Sequence, residues 1–259
     1  MNASQIEKAR HFANLHIQGD PVIIYNIWDA ASAKAVAKAG AAAIATGSWS
    51  VAAAHAYDDG EAIPLSLLET LVKRIVVAVD LPVSIDFEGA YAIEPNTVAD
   101  NVECIIKAGA IGINFEDQIV GGHGLYETQA QAARIAAIRQ RADSLSVPIV
   151  INARTDLFLK TSDEAEHQAN LNEAKVRAKA YADAGATSFF IPGLVNPAMI
   201  AEICKNSPIP VNVMVLDTSI SMTQMAQLGV ARISFGPQPF RAAMKQLSED
   251  ATKQFTQPD

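Results

Sequence analysis

Asp86, Glu88, Glu116, Asp117 and Arg154 stand at the ends of apolar runs, in the segments SIDFE (84–88), INFED (113–117) and INART (151–155). Clustered carboxylate oxygens are the hard donors that Mg2+ takes, and a guanidinium offers a two-pronged grip for a carboxylate substrate. Asp86 and Glu88 are two residues apart, so on a strand they face the same way. Glu116 ends the next such run. Three acids sharing a small space repel one another unless a cation or a set of donors offsets the charge. The residues alone leave two readings open: a divalent-metal site, or acids that cap the following helices or pair with Arg154, Lys160 or Arg74.

For these side chains to meet, the runs must be strands of one parallel sheet that end on one rim. Two kinds of junction alternate along the chain and support this. Helices end in Gly before a strand at KAGAAAIATG, KAGAIGINFED, DAGATSFFIPG and LGVARISFGP, and Pro opens a strand at DPVIIYN, LPVSIDFE, VPIVINARTD and IPVNVMVL. Gly supplies the left-handed helix cap, and a Pro at a strand's first residue loses little because its missing N–H need not pair there. Interleaved, these give eight strands. Apolar spacing of three and four predicts helices over 65–79, 96–107, 129–141 and 163–184, with shorter ones over 30–38, 197–205 and 221–228 and a last helix from Phe240.

Eight strand–helix units in this length predict a (β/α)8 TIM barrel occupying 1–259 as one domain, with an N-terminal helix (4–16) across its bottom. An open doubly wound sheet would carry a GxGxxG turn after its first strand, and none is present. A Schiff-base aldolase would want a mouth-facing Lys, which SFFIPG lacks, Lys160 lying beyond the preceding strand. A phosphate-binding barrel would want a Gly-rich turn near VLDTS or SFGPQ, and one Gly stands there.

The chain has 259 residues, 50% hydrophobic and only 6% aromatic, with a formal net charge of -8. That charge, with no Lys/Arg cluster, argues against a nucleic-acid partner. The alanine-rich stretch 39–56 is broken by Thr46, Ser48, Ser50 and His55, so no membrane span is expected, and the first residues lack a basic region followed by an apolar one. A cytoplasmic location is the expectation. Cys104 and Cys204 have no CxxC spacing and read as packing residues.

Taken in order, the segments NIWDAASAKAVAKAG, ATGSWS, DDGEAIPL, SIDFEG, INFEDQ, INARTD, FFIPGL, PVNVMV and ARISFGPQPFRA resemble the isocitrate lyase / phosphoenolpyruvate mutase superfamily nearly end to end. The resemblance implies an enzyme dependent on Mg2+, with Mn2+ as a substitute, acting on a small 2-oxo or 2-hydroxy carboxylic acid through an enolate-like intermediate. It implies metal held by Asp86 and Glu88, one of them through water, with Glu116 beside them. The substrate carboxylate would rest on Gly47, Ser48, Trp49, Arg154 and Asn212. Asp59 falls on the aspartate of the loop that in relatives lies over the reacting centre. Homo-oligomers, dimers or tetramers, that exchange the last helix are also implied.

The chain departs from the superfamily in informative ways. Relatives often have Asp where Glu88 stands. The segment after Glu116, DQIVGGHGLYE, has no counterpart of the lyase loop Cys, the mutase gating segment is absent, and Gly193 replaces a lyase Glu. Catalysis is left to Asp59 and Arg154, with His123 as a further proton source. The expected reaction is C–C cleavage by a lyase or decarboxylase of an oxaloacetate-like acid. The alternatives are a phosphonopyruvate-type P–C hydrolase or mutase and a non-catalytic oxo-acid-binding barrel.

Overall fold

In the computed structural model, residues 3–161, 163–216 and 220–256 are described. Eight parallel strands run β1 (Val22–Ile24), β2 (Ile44–Ala45), β3 (Val83–Asp86), β4 (Gly112–Glu116), β5 (Val150–Arg154), β6 (Ser188–Phe190), β7 (Val211–Met214) and β8 (Arg232–Ser234). They pair in the order β1-β8-β7-β6-β5-β4-β3-β2. A parallel bridge between Ile27 and Thr46 joins the remaining seam, so the sheet closes into the expected (β/α)8 barrel.

Helices alternate with the strands: α1 (Ala3–Asn14), α2 (Ala30–Lys38), α3 (Ser48–Ala54), α4 (Leu65–Ala78), α5 (Pro95–Lys107), α6 (Thr128–Ser144), α7 (Glu164–Asp183), α8 (Pro197–Asn206), α9 (Met222–Gln227) and α10 (Gln238–Thr256). The sequence punctuation has a direct structural counterpart. Pro21, Pro82 and Pro210 immediately precede β1, β3 and β7. Gly109, just past α5, has φ +103, and a Cβ there would come 2.7 Å from Val76 Cγ1, so only glycine makes this turn without strain. The helix α3 was not expected. It has seven residues and its N-cap, Gly47, makes no side-chain capping bond, so the sequence carries no start signal for it. Part of the VLDTS turn, residues 217–219, lies outside the described residues.

The barrel interior is polar near its mouth. Asn152 Nδ2 donates to Asn114 Oδ1 (2.8 Å) and Asn212 Oδ1 (2.9 Å), and Ser188 Oγ donates to Asn152 Oδ1 (2.7 Å). Arg232 is fully buried among these groups, donating to Asn114 Oδ1 and Ser234 Oγ (both 3.3 Å). At the opposite end α1 closes the barrel. Gln5 Nε2 donates to Ile106 O and Ala110 O, and the Phe12 ring lies 5.7 Å from the Arg232 guanidinium carbon.

His16, just beyond α1, is buried with Nδ1 donating to Phe12 O at 2.8 Å. Burial, then the Arg232 charge, lowers its pKa from 6.5 to about 4. The unfolded chain therefore binds a proton here that the folded chain refuses. The stability this group contributes is fully present above pH 6.5 and is lost as pH falls toward 4. Between pH 7 and pH 5 the wild type should lose about 2 kcal/mol more stability than His16→Gln. Urea midpoints at the two pH values test this, and equal losses would remove His16 as the cause.

The outer layer is apolar. Leu68, Val72 and Ile75 of α4 and Val98, Val102, Ile105 and Ile106 of α5 are buried. Among the described residues, no helix is long and apolar enough to cross a membrane. The last helix, α10, behaves differently. Only Pro239 and Phe240 are buried, and Met244, Leu247 and Phe255 are exposed.

Candidate active site

At the C-terminal ends of the strands lies a cavity of about 170 Å³. Drug-sized ligands occupy clefts of about 300–1,000 Å³, so this one suits a much smaller guest. Asp86, the last residue of β3, is its best-fixed acid. Asp86 Oδ2 accepts from Ser48 N (2.9 Å) and Ser48 Oγ (3.0 Å), Oδ1 accepts from Asn114 Nδ2 (3.3 Å), and Asp86 N donates to Thr46 Oγ1 (2.9 Å).

Across the cavity Arg154 ends β5. It donates to both oxygens of Asp156, Nε at 2.6 Å and Nη2 at 2.9 Å, and its Nη1 is 3.0 Å from Glu116 Oε2. Burial works against its charge, but Glu116 and Asp156 outweigh that and hold the guanidinium well above its ordinary pKa. Glu116, 4% exposed, is pushed well above the carboxylate range by burial, with Arg154 opposing and Asp156, Asp86 and Glu88 adding to the rise.

β3 ends at Asp86 rather than running on through Glu88. Glu88, Ala90 and Tyr91 adopt φ of +50, +62 and +57, a left-handed turn that is costly for residues with a Cβ. Two bonds hold it: Glu88 Oε2 accepts from Glu61 N (2.8 Å), and Glu61 Oε1 accepts from Tyr91 N (2.6 Å). The two-residue alternation expected for Asp86 and Glu88 is broken by this turn. Glu88 is buried and does not line the cavity, and burial, then Asp86 and Asp59, raises its carboxyl to about 8.

Asp117 also departs from the rim. Wholly buried, it accepts from Arg177 Nη1 (3.0 Å), Tyr181 Oη (2.9 Å) and Asp156 N (3.0 Å), so it ties β4 to α7 and to the loop that carries Asp156.

Of the other residues singled out in the sequence, Gly47, Ser48, Trp49 and Asp59 line the cavity with Asp86 and Arg154. Asp59 stands on the exposed loop after α3, and its carboxyl pKa is raised by desolvation at the cavity wall and then by Asp86. Asn212 is fully buried, its Nδ2 donating to Val213 O (2.8 Å), Arg232 O (3.1 Å) and Ser234 Oγ (3.1 Å), and it does not line the cavity. Nor does His123, which is exposed at the tip of a loop closed by a Gln118–Leu125 bridge. Gly193, φ +92, packs against the Phe158 carbonyl so closely that this backbone admits no Cβ, and no side chain reaches the cavity from this position.

Sequence reading missed Asn26, Asn114, Asp156 and Arg241. Asn26 Oδ1 accepts from Phe235 N (3.0 Å) and Gly236 N (2.9 Å), and its Nδ2 donates to Thr46 O (2.9 Å), pinning the rim where β1, β2 and β8 meet. The asparagines of INFED, INART and PVNVMV were visible as a repeated polar residue inside apolar strands, and that was the available signal.

The donor set suits a hard cation. Carboxylates crowd one end of the barrel and raise one another's pKa, a repulsion that a divalent ion offsets. Among the described residues no group of three or more His, Cys, Asp or Glu side chains is placed to hold a metal ion, so the expected trio of Asp86, Glu88 and Glu116 is not assembled: of the three only Asp86 lines the cavity, Glu88 Oε2 being taken by Glu61 N and Glu116 Oε2 by Arg154. Mg2+ does not need such a trio, since it is commonly held by one or two carboxylates with waters and substrate oxygens completing the shell.

A sequence model of the phosphoenolpyruvate phosphomutase family matches residues 12–255. An uncharacterised protein of Mycobacterium tuberculosis (H37Rv) is 33% identical over 233 residues, covering 90% of this chain and 84% of that one. A Corynebacterium glutamicum protein named a probable 2-methylisocitrate lyase is 32% identical over 175 residues, covering 64% and 53%. Among solved structures, a Burkholderia cenocepacia J2315 protein provisionally named a phosphonomutase superposes with a TM-score of 0.94 at 45% identity, over 96% of this chain and 99% of that one. Other curated relatives are named isocitrate lyase and 2-methylisocitrate lyase, so the neighbourhood includes enzymes. With barrel, rim chemistry and a match over nearly its whole length in agreement, this chain belongs to the phosphoenolpyruvate phosphomutase family of the isocitrate lyase / phosphoenolpyruvate mutase superfamily.

Proposed function

We propose that this protein is a Mg2+-dependent carbon–carbon lyase or decarboxylase of a small oxaloacetate-like acid, working in the cytoplasm as one barrel per chain, with Mn2+ able to replace Mg2+. The observation that carries this reading is the make-up of the cavity wall. Asp86, Asp59 and Arg154 face it, while no Cys, His or Lys does among the described residues. Such a wall can bind and polarise an oxo acid but has few groups for proton traffic. Bound at Asp86, with Glu88 and Glu116 completing the acidic surround, Mg2+ would supply Lewis-acid polarisation of the substrate oxo group.

The chain's own residues do the rest. Ser48 and Asn114 orient Asp86 by three hydrogen bonds. Arg154, locked by Asp156, presents its guanidinium to the substrate carboxylate, with Gly47, Ser48 and Trp49 forming the facing wall and Asn212 bracing the floor. In an oxaloacetate-like acid the bond between the methylene carbon and its distal carboxylate breaks, carbon dioxide leaves, and the electron pair stays on the oxo-acid fragment as an enolate. Asp59, whose carboxyl keeps its proton to higher pH than usual, returns that proton to carbon. His123, at its loop tip, reaches the substrate only if that loop folds in.

A second reading, P–C cleavage of a phosphonopyruvate-like acid, draws support from the family match and the 45% identical neighbour. Phosphonopyruvate hydrolase has been seen with oxalate and Mg2+, and oxaloacetate acetylhydrolase with its product oxalate, on the same fold at 20% and 19% identity. One assay separates these readings. The enzyme is offered oxaloacetate, 2-methylisocitrate, 2,3-dimethylmalate and phosphonopyruvate with Mg2+, then with a chelator. Chelator-sensitive C–C cleavage is the expected result, and phosphate release would move the assignment to P–C chemistry. Tight binding without turnover would make it a binding barrel.

The exposed face of α10 supports the helix exchange that the superfamily resemblance implies. Met244, Leu247 and Phe255 stand at helical spacing, and an open apolar groove of about 720 Å³ lies beside β1 and α2, where Ile23 and Tyr25 are exposed. A second copy's α10 is the occupant proposed, giving a dimer or tetramer.

A further inference from the structure

Arg232, on β8, is the largest of the fully buried side chains, yet among the described residues it makes no ion pair. Its three nitrogens meet neutral groups or nothing: Nε donates to Ser234 Oγ and Nη2 to Asn114 Oδ1, both at 3.3 Å, and Nη1 has no partner. Burial lowers its pKa to about 10, with Asp86 opposing, so the guanidinium keeps its charge at neutral pH. A buried cation with no anion beside it weakens a fold, and an unbranched apolar side chain would cost less in this position. The Phe12 ring, 5.7 Å from the guanidinium carbon, lies near the outer reach of a cation–π contact and is a weak anchor.

Asp86 is the acid that this charge acts on, and Asn114 stands between the two. Asn114 Oδ1 accepts from Arg232 Nη2 and, at 2.8 Å, from Asn152 Nδ2, which leaves Asn114 Nδ2 to face Asp86 Oδ1 at 3.3 Å. Asn152 is itself fixed. Asn212 Nδ2 donates to the carbonyls of Val213 and Arg232, so its Oδ1 is the atom turned toward Asn152. The Asn114 amide therefore has a second reason for its orientation. What Arg232 alone adds is a full positive charge beneath Asp86, in an interior where Coulomb forces are weakly screened.

We propose that Arg232 is a positioning residue that acts through Asn114 on Asp86: its charge weakens the binding of Mg2+ alone and strengthens the binding of the anionic substrate, so that the site takes metal and oxo acid as a pair. This rests on the metal and oxo-acid reading above and adds how the two ligands depend on each other. Mg2+ and the guanidinium compete for the field of one carboxylate, whereas a bound oxo acid is attracted by both cations.

Calorimetry on the full-length protein at a single neutral pH tests this with two probes, Mg2+ alone and oxalate at saturating Mg2+. Arg232→Met removes the charge at similar length, and Arg232→Gln removes it while keeping an amide donor for Asn114. Both variants should bind Mg2+ about 10-fold tighter and oxalate roughly 3- to 10-fold more weakly than wild type, opposite shifts that a distorted site would not give. The Tm of Arg232→Met should hold or rise, because an uncompensated buried charge is gone. If wild type binds both probes and the variants move both affinities in the same direction, or neither by more than about twofold, the role of Arg232 is overturned and the metal site stands. A shift seen in Arg232→Met and absent in Arg232→Gln belongs to the hydrogen bond and likewise overturns the charge role. A wild type that binds neither Mg2+ nor oxalate overturns both this role and the metal reading it rests on.

Discussion

Asp86→Asn is expected to lower kcat/KM by about 10³-fold or more on whichever acid the wild type turns over, equivalent to about 4 kcal/mol of transition-state stabilisation. The reason is local. Ser48 N, Ser48 Oγ and Asn114 Nδ2 all donate to Asp86, and an amide accepts at only one of its two terminal atoms, so at least one donor would face an NH2 group. The substitution also removes the charge best placed on the cavity wall to attract a divalent ion. Stability should change by no more than about 1 kcal/mol, because losing an anion beside Glu88 relieves the repulsion that helps hold Glu88 up near 8. Steady-state kinetics, Mg2+ titration and a urea melt on one preparation separate the effects. Activity within tenfold of wild type would remove Asp86 from the centre of the proposal.

Arg177→Met should have the largest effect on stability, roughly 3–5 kcal/mol, because it leaves the Asp117 carboxylate buried without its counter-charge. For a chain of this size that is a fall of roughly 10 °C in Tm. Burial pushes the Asp117 pKa up and Arg177 is the first group pulling it back, so the variant's Asp117 will take a proton more readily and part of the loss should be recovered at lower pH. Removing both partners, as Asp117→Asn with Arg177→Met, should cost less than the sum of the single changes, since neither leaves a lone charge. A loss below 1 kcal/mol for Arg177→Met would show that Tyr181 and the Asp156 amide satisfy Asp117 by themselves. Activity should fall with Arg177→Met as well, because Asp117 fixes the Asp156 backbone and Asp156 in turn locks Arg154.

The sites that the sequence described well and badly differ in how locally they are determined. Asp86 and Arg154 end strands whose boundaries are set by Pro, Gly and apolar runs, and both face the cavity. Glu88 and Asp117 lie one or two residues past a strand end, where side-chain direction no longer follows the two-residue alternation. A left-handed turn held by Glu61 takes Glu88 away from the cavity wall, and an ion pair sixty residues along the chain takes Asp117 to the outer layer. Asn212 sits on a strand, but one level deeper in the barrel than the cavity floor.

Local chemistry was enough to specify the eight strands, their alternation with helices and the ring of acids and guanidinium at their ends, because helix caps, strand-opening prolines and burial period act over a few residues. Which acids face a common space, why Arg154 is already neutralised, and that Arg241 reaches the mouth from the far end of the chain were decided only by tertiary structure. Those features depend on through-space distances between elements that are remote in sequence, and on the low-dielectric surroundings that closing the barrel creates.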